Sequence, residues 1–309
     1  MKNEYEIINH NNINFHVFLV NLLYRTPHIH RDYEFCLVLE GCITLFTNGT
    51  SYALEKDDVF IINPFASHEI KAENPALILS LQVSPALYSS YYPQIKNTRL
   101  DITVLNNKIH SFDCKTIRRF LLDIATSYLH KKKLYELKCV NLLNQLFEYT
   151  LIHLPNHLVS DDERISAKTK GKRMQSIVEY IDEHSSEKLL LADIAKYLNL
   201  DLYYLSHFFR DSFGISFQKY LLKIRCEHAR QLLLLSELSL LDISISTGFS
   251  DPKYFNKGFI QQYGCTPKEY RKIFKNKKLE VQQKFMLSTQ EFLSETSSII
   301  ILDKFSNSN

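Results

Sequence analysis

Three histidines and one glutamate in the first part of the chain are of types that could act together: His28, His30, Glu34 and His68. Three imidazole nitrogens and a carboxylate oxygen form a donor set suited to a divalent first-row metal ion. The same groups could instead hydrogen-bond a small polar molecule. Residues two apart on a strand point the same way, so His28 and His30 share a face. Arg25, Tyr33 and Phe65 stand close enough in sequence to join them in lining a pocket. Metal binding, an effector pocket and a purely structural role are all open uses of these side chains.

A second set lies near the other end. Tyr203, Ser206, His207 and Arg210 fall on one face of a helical stretch, and Lys253, Asn256 and Lys257 on one face of another. Lys and Asn can hydrogen-bond base edges in the major groove, and Arg and Lys can neutralise phosphates.

The elements that must position these groups differ between the two halves. From Ile13 to Val83 the pattern is of short strands, such as Phe35–Leu39, Ile43–Thr47 and Val59–Asn63, separated by Gly41, Asn48-Gly49 and Asp57-Asp58. Asn-Gly between two such runs is a strong hairpin signal, and closely spaced turns predict a barrel or sandwich. Beyond Pro93 the period changes: Ile117, Phe120, Leu121, Ile124 and Tyr128, then Leu137, Val140, Leu143, Phe147 and Leu151, recur at helical spacing. That pair of helices, residues 113–154, would cover the barrel or meet a second subunit. Residues 155–172 are polar and aperiodic and read as a linker, residues 173–278 are helical in pattern, and 279–309 form an ambiguous tail. There, Gln282–Leu293 could be a helix and Ser297–Leu302 is a short apolar run.

Within the helical part the sequence repeats. At an offset of 50, Phe209 falls on Phe259, Phe213 on Tyr263, Gly214 on Gly264, Ser216 on Thr266 and Tyr220 on Tyr270. Each copy has the parts of a helix-turn-helix. A short amphipathic helix comes first, then an Asp N-cap (Asp201, Asp251), then a second helix stopped by glycine. Pro252 suits the first helical position of the second copy. The stretch Phe217–Leu235 between the copies reads as one long helix that fixes their separation.

Residues 173–275 resemble the DNA-binding domain of the AraC/XylS family of transcription regulators. The resemblance rests on LLLADIAKYLNLDLYYLSHFFRDSFGISFQKYL, KIRCEHARQLLL and SLLDISISTGFSDPKYFNKGFIQQYGCTPKEYRK. It implies that Tyr203, Ser206 and His207 in one recognition helix, and Lys253, Asn256 and Lys257 in the other, sit at base-facing positions. It also implies two major-groove contacts about one helical turn apart. Three positions depart from the family pattern: His207 stands where Arg is frequent, Ser244 where a small apolar residue is usual, and Ile260 where Lys is common. The first half resembles the cupin barrel, whose first motif it fits from His28 to Gly41. Leu22, Asp58 and Ala66 occupy positions where that pattern has glycine. Regulators of this family commonly carry such a barrel as an effector-sensing domain, which implies binding rather than catalysis.

Composition limits the alternatives. Hydrophobic residues make up 45% and charged residues 23% of the 309, ordinary values for a globular chain with room for two domains. Residues 172–278 hold 17 Lys and Arg against 12 Asp and Glu, whereas the remainder holds 20 against 22. The basic excess thus lies where DNA would bind. Six cysteines are scattered without a C-x-x-C pair and read as reduced thiols. No apolar run reaches membrane-spanning length, and the N-terminus lacks the apolar core of a signal peptide.

The expected fold is therefore α+β and multidomain. A cupin-like barrel over 1–112 with flanking helices precedes an all-α domain with two helix-turn-helix units. The expected protein is a cytoplasmic, homodimeric, non-enzymatic activator that binds double-stranded promoter DNA. It would respond to a small polar effector such as a sugar and contact RNA polymerase, without a resident cofactor. A metal-dependent cupin enzyme with an attached DNA module, and a regulator with no small-molecule effector, are the competing readings.

Overall fold

The computed structural model describes residues 14–47, 49–275 and 290–306. Its described residues divide into two compact units, one comprising residues 14–171 and 290–306 and the other residues 172–275. The chain therefore leaves the barrel unit, builds the helical unit, and returns to the barrel unit near its end.

The barrel unit is a nearly closed antiparallel sheet. Its strands are β1 (Phe15–His28), β2 (Tyr33–Glu40), β3 (Cys42–Thr47), β4 (Thr50–Glu55), β5 (Val59–Ile62), β6 (His68–Val83) and β8 (Val104–Leu105), while β7 (Thr98–Leu100) stands outside this sheet. β6 is the spine: it pairs with β1, β2 and β3, while β2 continues to β5 and β5 to β8. β1 and β6 are longer than the short strands expected. Register shifts in β1 between Leu22 and Tyr24, and between Arg25 and His28, bend the pair without ending it.

Strand alternation sorts the side chains into two cores. Phe18, Val20, Leu22, Cys36, Val38, Phe60, Ile62 and Ile78 fill the barrel interior. Phe15, Val17, Leu19, Tyr33, Phe35, Leu37, Val59, Ile61, Leu79 and Leu81 point the other way, under helices α1 (Ser111–His130) and α2 (Tyr135–His153). Those helices contribute Ile117, Leu121, Ile124, Leu143, Leu146 and Phe147 to that outer core. A sheet apolar on both faces needs such a cover, and the helical pair supplies it.

The polar stretch expected to be a linker is ordered over most of its length. Asn156–Leu158 forms β9 on β7. Helix α3 then covers Asp161–His184. Ser160 and Glu163 form a reciprocal cap: the Glu163 carboxylate accepts from the Ser160 N–H at 2.7 Å and the Ser160 hydroxyl from the Glu163 N–H at 3.1 Å. Asp161, Asp162 and Glu163 occupy the first turn, where the helix dipole favours acids. Lack of apolar periodicity marked a helix polar on most faces, not a flexible chain.

The second unit continues with α4 (Leu191–Tyr197), α5 (Leu202–Phe213), α6 (Phe217–Leu235), α7 (Leu240–Ser246), α8 (Pro252–Tyr263) and α9 (Pro267–Lys275). After α9 the chain re-enters the barrel unit as β10 (Gln290–Phe292), which pairs with β1, and α10 (Glu295–Ser306). The expected helix over Gln282–Leu293 lies outside the described residues up to 289, and its end is strand. Ser297–Leu302 is helix, with Leu302 buried in the outer core.

Candidate functional site

The barrel interior brings His28, His30, Glu34 and His68 together. One donor atom from each lies within 4.8 Å of every other. His28 ends β1, His68 opens β6 directly opposite it, and Glu34 faces inward from β2 between the outward Tyr33 and Phe35. The His30 and His68 side chains are 8% and 0% exposed and that of Glu34 is 5% exposed, whereas His28 is half-buried.

Its hydrogen bonds fix orientation. His30 Nδ1 lies 2.9 Å from the Asp32 carbonyl and His68 Nδ1 lies 3.2 Å from the Ala66 carbonyl. A carbonyl oxygen only accepts, so both Nδ1 atoms carry protons and both Nε2 atoms face inward. Nε2 of His30 is 2.9 Å, and that of His68 3.3 Å, from the same oxygen, Glu34 Oε2. The other carboxylate oxygen is held from behind by the Ser80 hydroxyl, which donates to it, and by Gln82 Nε2 at 3.4 Å.

The ionisation of the cluster follows from burial and these neighbours. Burial opposes charge on all four groups. Glu34 nevertheless lies well below the usual carboxylate range because His30 and His68 bond to it. Burial also works against charging His30, but the Glu34 carboxylate outweighs it and raises the ring. His28 is pushed well below its ordinary value by burial and then by the nearby Arg25 cation, and His68 is lowered by burial.

The expected pocket residues do not all converge. Arg25, His28, Glu34 and His68 line one interior cavity with Phe18, Val20, Leu22, Cys36, Ile70, Ile78 and Ser80. Tyr33 does not: one residue from Glu34, it points into the outer core, where its hydroxyl donates to the Ile95 and Thr98 carbonyls. Phe65 sits in the turn before β6 with φ +65°, its N–H bonded to the His30 carbonyl. Ser80, Gln82 and Cys36 were missed in the sequence. Their inward alternation on β2 and β6 was the available signal.

The helical unit displays its polar groups outward. Asp201 caps α5 by accepting from the Tyr204 N–H at 3.0 Å, and Asp251 caps α8 by accepting from the Lys253 N–H. Gly214 and Gly264 end these helices in the left-handed region, at φ +70° and +74°. Leu205, Phe209 and Phe213 bury one face of α5, and Phe255, Gly258 and Phe259 bury one face of α8. Tyr203, Ser206, His207 and Arg210, and likewise Lys253, Asn256 and Lys257, are exposed. The His207 ring packs against Tyr203 at 4.3 Å, tilted by 47°, and its Nδ1 lies 2.9 Å from the Tyr203 carbonyl.

Two family models match the chain, one on each unit. A helix-turn-helix domain model covers residues 194–273, and an AraC-like ligand-binding domain model covers 21–101. The C-terminal domain of the response regulator yesN from Fusobacterium nucleatum is 39% identical, over 32% of this chain and 98% of that one, with a TM-score of 0.31. The chain belongs to the AraC-type transcription regulators. Another relative of this AraC-type regulator is the regulatory protein PocR of Salmonella typhimurium, 39% identical over 99 residues, which are 32% of this chain and 33% of PocR. An uncharacterised HTH-type regulator of Staphylococcus aureus is 22% identical over 236 residues, 76% of this chain and 30% of that protein. The matched part of the chain thus spans about a third of the length of these curated relatives.

Sequence reasoning missed the groups that hold the AraC-type helices in place. Arg225 on α6 donates to the Ser185 and Glu187 carbonyls at 2.8 and 2.7 Å, fixing the entry to α4. Glu227 and Arg230, three apart on α6, form a buried pair at 2.7 Å, and the Tyr263 hydroxyl donates to Glu227 at 2.7 Å. Arg173 lies over the rings of Tyr204 and Phe208 at 5.3 and 5.2 Å. Opposite charges three apart on a helix whose other positions are largely apolar were the legible sign of the Glu227–Arg230 pair. Among the described residues, no helix is long and apolar enough to cross a membrane.

Proposed function

We propose that this AraC-type regulator binds a specific duplex site through α5 and α8, and that occupancy of the barrel cavity sets the strength of that binding. The observation that carries the reading is the pairing of matched buried cores with unmatched exposed stripes in the two copies. A repeat that served only packing would have no reason to present Lys253, Asn256 and Lys257 at i, i+3 and i+4 beside buried Phe255 and Phe259. In this reading the chain works in the cytoplasm as a homodimeric activator that contacts RNA polymerase, and the barrel binds its ligand without turnover.

The cavity sets a size limit on the effector. Its volume is about 10 Å³, close to the least that holds one water-sized particle. A sugar ring is far larger, so a sugar effector requires this cavity to widen.

The test is binding of the purified chain to its own upstream DNA and to a scrambled duplex across a salt series. Selective binding that weakens steeply with salt is expected. Equal, weak binding to both duplexes, with and without candidate effectors, would overturn the reading.

A further inference from the structure

We infer that β10 is the gate of the barrel cavity, with Phe292 as the plug that lifts when an effector enters. The inference rests on the reading of that cavity as an effector site, and adds the way in.

The barrel is least closed along the outer edge of β1. β6 has neighbours along both sides, and β2 lies between β6 and β5. β1 runs beside β6 for most of its length, but among the described residues its other side meets only β10, opposite Val20, Asn21 and Leu22. One further bond, from the Leu293 N–H to the Leu19 carbonyl at 2.9 Å, completes that contact. This thinly covered strand is also the one that bounds the cavity most. It supplies Phe18, Val20, Leu22, Arg25 and His28 to the lining, more than any other strand.

Register turns β10 toward the interior. Directly opposed residues of an antiparallel pair carry their side chains on the same face of the sheet. Phe292 is opposite Val20 and Gln290 is opposite Leu22, and both of those β1 residues line the cavity. The Phe292 ring accordingly meets Phe18 edge-on at 5.2 Å and lies 6.0 Å from the Arg25 guanidinium. Phe292 is still 39% exposed, so this one ring stands between solvent and two lining residues. On the same face, the Gln290 side-chain oxygen is buried without a hydrogen-bond partner among the described residues. It is an acceptor on the inner side of the gate, available to an entering polar molecule.

β10 is also the part of the C-terminal segment that is cheapest to move. It is three residues long, whereas α10 is held by buried Leu302 and by the pairs Lys131–Glu295 at 2.6 Å and His130–Asp303 at 3.0 Å. Short segments with few buried contacts open at low free-energy cost. Lifting β10 uncovers the edge of β1 while α10 keeps the segment in place for reclosure. β10 is the first described element after α9, so the same motion gives entry at the cavity a covalent route to the helical unit.

Cys36 lines the cavity and is buried, so its thiol reports entry. The full chain is treated with methyl methanethiosulfonate, a small thiol reagent, and labelling of each cysteine is followed by peptide mass spectrometry. Cys139, buried in the outer core, reports any loosening of the whole barrel unit. Phe292→Ala removes both ring contacts and should speed labelling of Cys36 by about 5- to 50-fold, with Cys139 unchanged. The combined Asn21→Cys and Glu291→Cys variant puts thiols at opposed positions. Opposed Cα atoms in such a pair lie about 5.5 Å apart, a spacing that a disulfide spans. With that disulfide formed, Cys36 should be labelled at least about tenfold more slowly than in the unsubstituted chain. Equal labelling of Cys36 in the locked and unsubstituted chains overturns the gate, because the reagent then enters elsewhere. So does a Phe292→Ala chain in which Cys36 gains no speed, or gains no more than Cys139. Operator binding with candidate effectors is a separate assay. Its failure in a chain that opens at β10 overturns the proposed function and leaves the gate standing.

Discussion

The two helix-turn-helix units share a buried skeleton and differ in how it is held. In the first, Phe209 stacks with Phe213 at 4.3 Å and meets Tyr220 edge-on at 5.6 Å. In the second, Phe259 meets Tyr263 at 4.6 Å and Tyr270 at 5.5 Å. The repeat thus preserves ring positions, and one hydroxyl changes the outcome. Phe213 is apolar, whereas Tyr263 donates to Glu227 and ties α8 to the buried Glu227–Arg230 pair of α6. The first unit relies on aromatic packing and on Arg173 lying across Tyr204 and Phe208. Duplicated cores give two rigid platforms, and the support beneath each can diverge as freely as the surface above it.

Removing the polar support is the hardest test of that asymmetry. Glu227→Ala leaves Arg230, 3% exposed, as an uncompensated buried cation, which costs about 3–5 kcal/mol. A urea melt should show the helical unit unfolding at much lower denaturant, with DNA binding lost as a result. A shift of less than 1 kcal/mol would mean that water reaches the pair and that the two units are held alike.

Next in size is the contrast between surface and support. Lys257→Ala and Asn256→Ala should each weaken specific binding by about 1–3 kcal/mol while leaving the melt unchanged. Asn256→Ala should also flatten the preference for operator over scrambled DNA. Unchanged affinity and selectivity in both would remove α8 from the DNA. For α5, Tyr203→Ala also removes the ring that His207 packs against, so the same assay shows whether an aromatic face substitutes there for charge.

The parts of the molecule that follow a short period were legible in the sequence. The repeat, both Asp caps, the glycine stops and the exposed stripes all follow from local spacing. The four-donor cluster was half legible: His28 and His30 announce themselves two apart, but the pairing of β1 with β6 is what brings His68 opposite His28. Tyr33 was misplaced because an aromatic beside Glu34 looks like a pocket residue until alternation is enforced residue by residue. The helix over 161–172 was hidden because its stability rests on the Ser160–Glu163 cap and early acids rather than on an apolar stripe. The return of the chain to β1 could not be read, since a three-residue strand has no period and its partner lies some 270 residues away in sequence.

The smallest expected effects separate the two helix starts. Asp201→Ala removes the acceptor for the Tyr204 N–H and should cost about 1 kcal/mol. Asp251→Ala removes the corresponding bond to the Lys253 N–H, but Pro252 at the first helical position already has its backbone set for a helix and has no N–H to satisfy. Its cost should fall to about half as much. Chemical denaturation of the two variants side by side decides the point. Equal losses would show that proline contributes nothing to starting α8, and that the difference between the units lies wholly in the Tyr263–Glu227–Arg230 network. A larger loss for Asp201→Ala would show that the second unit is reinforced at its start as well as beneath it.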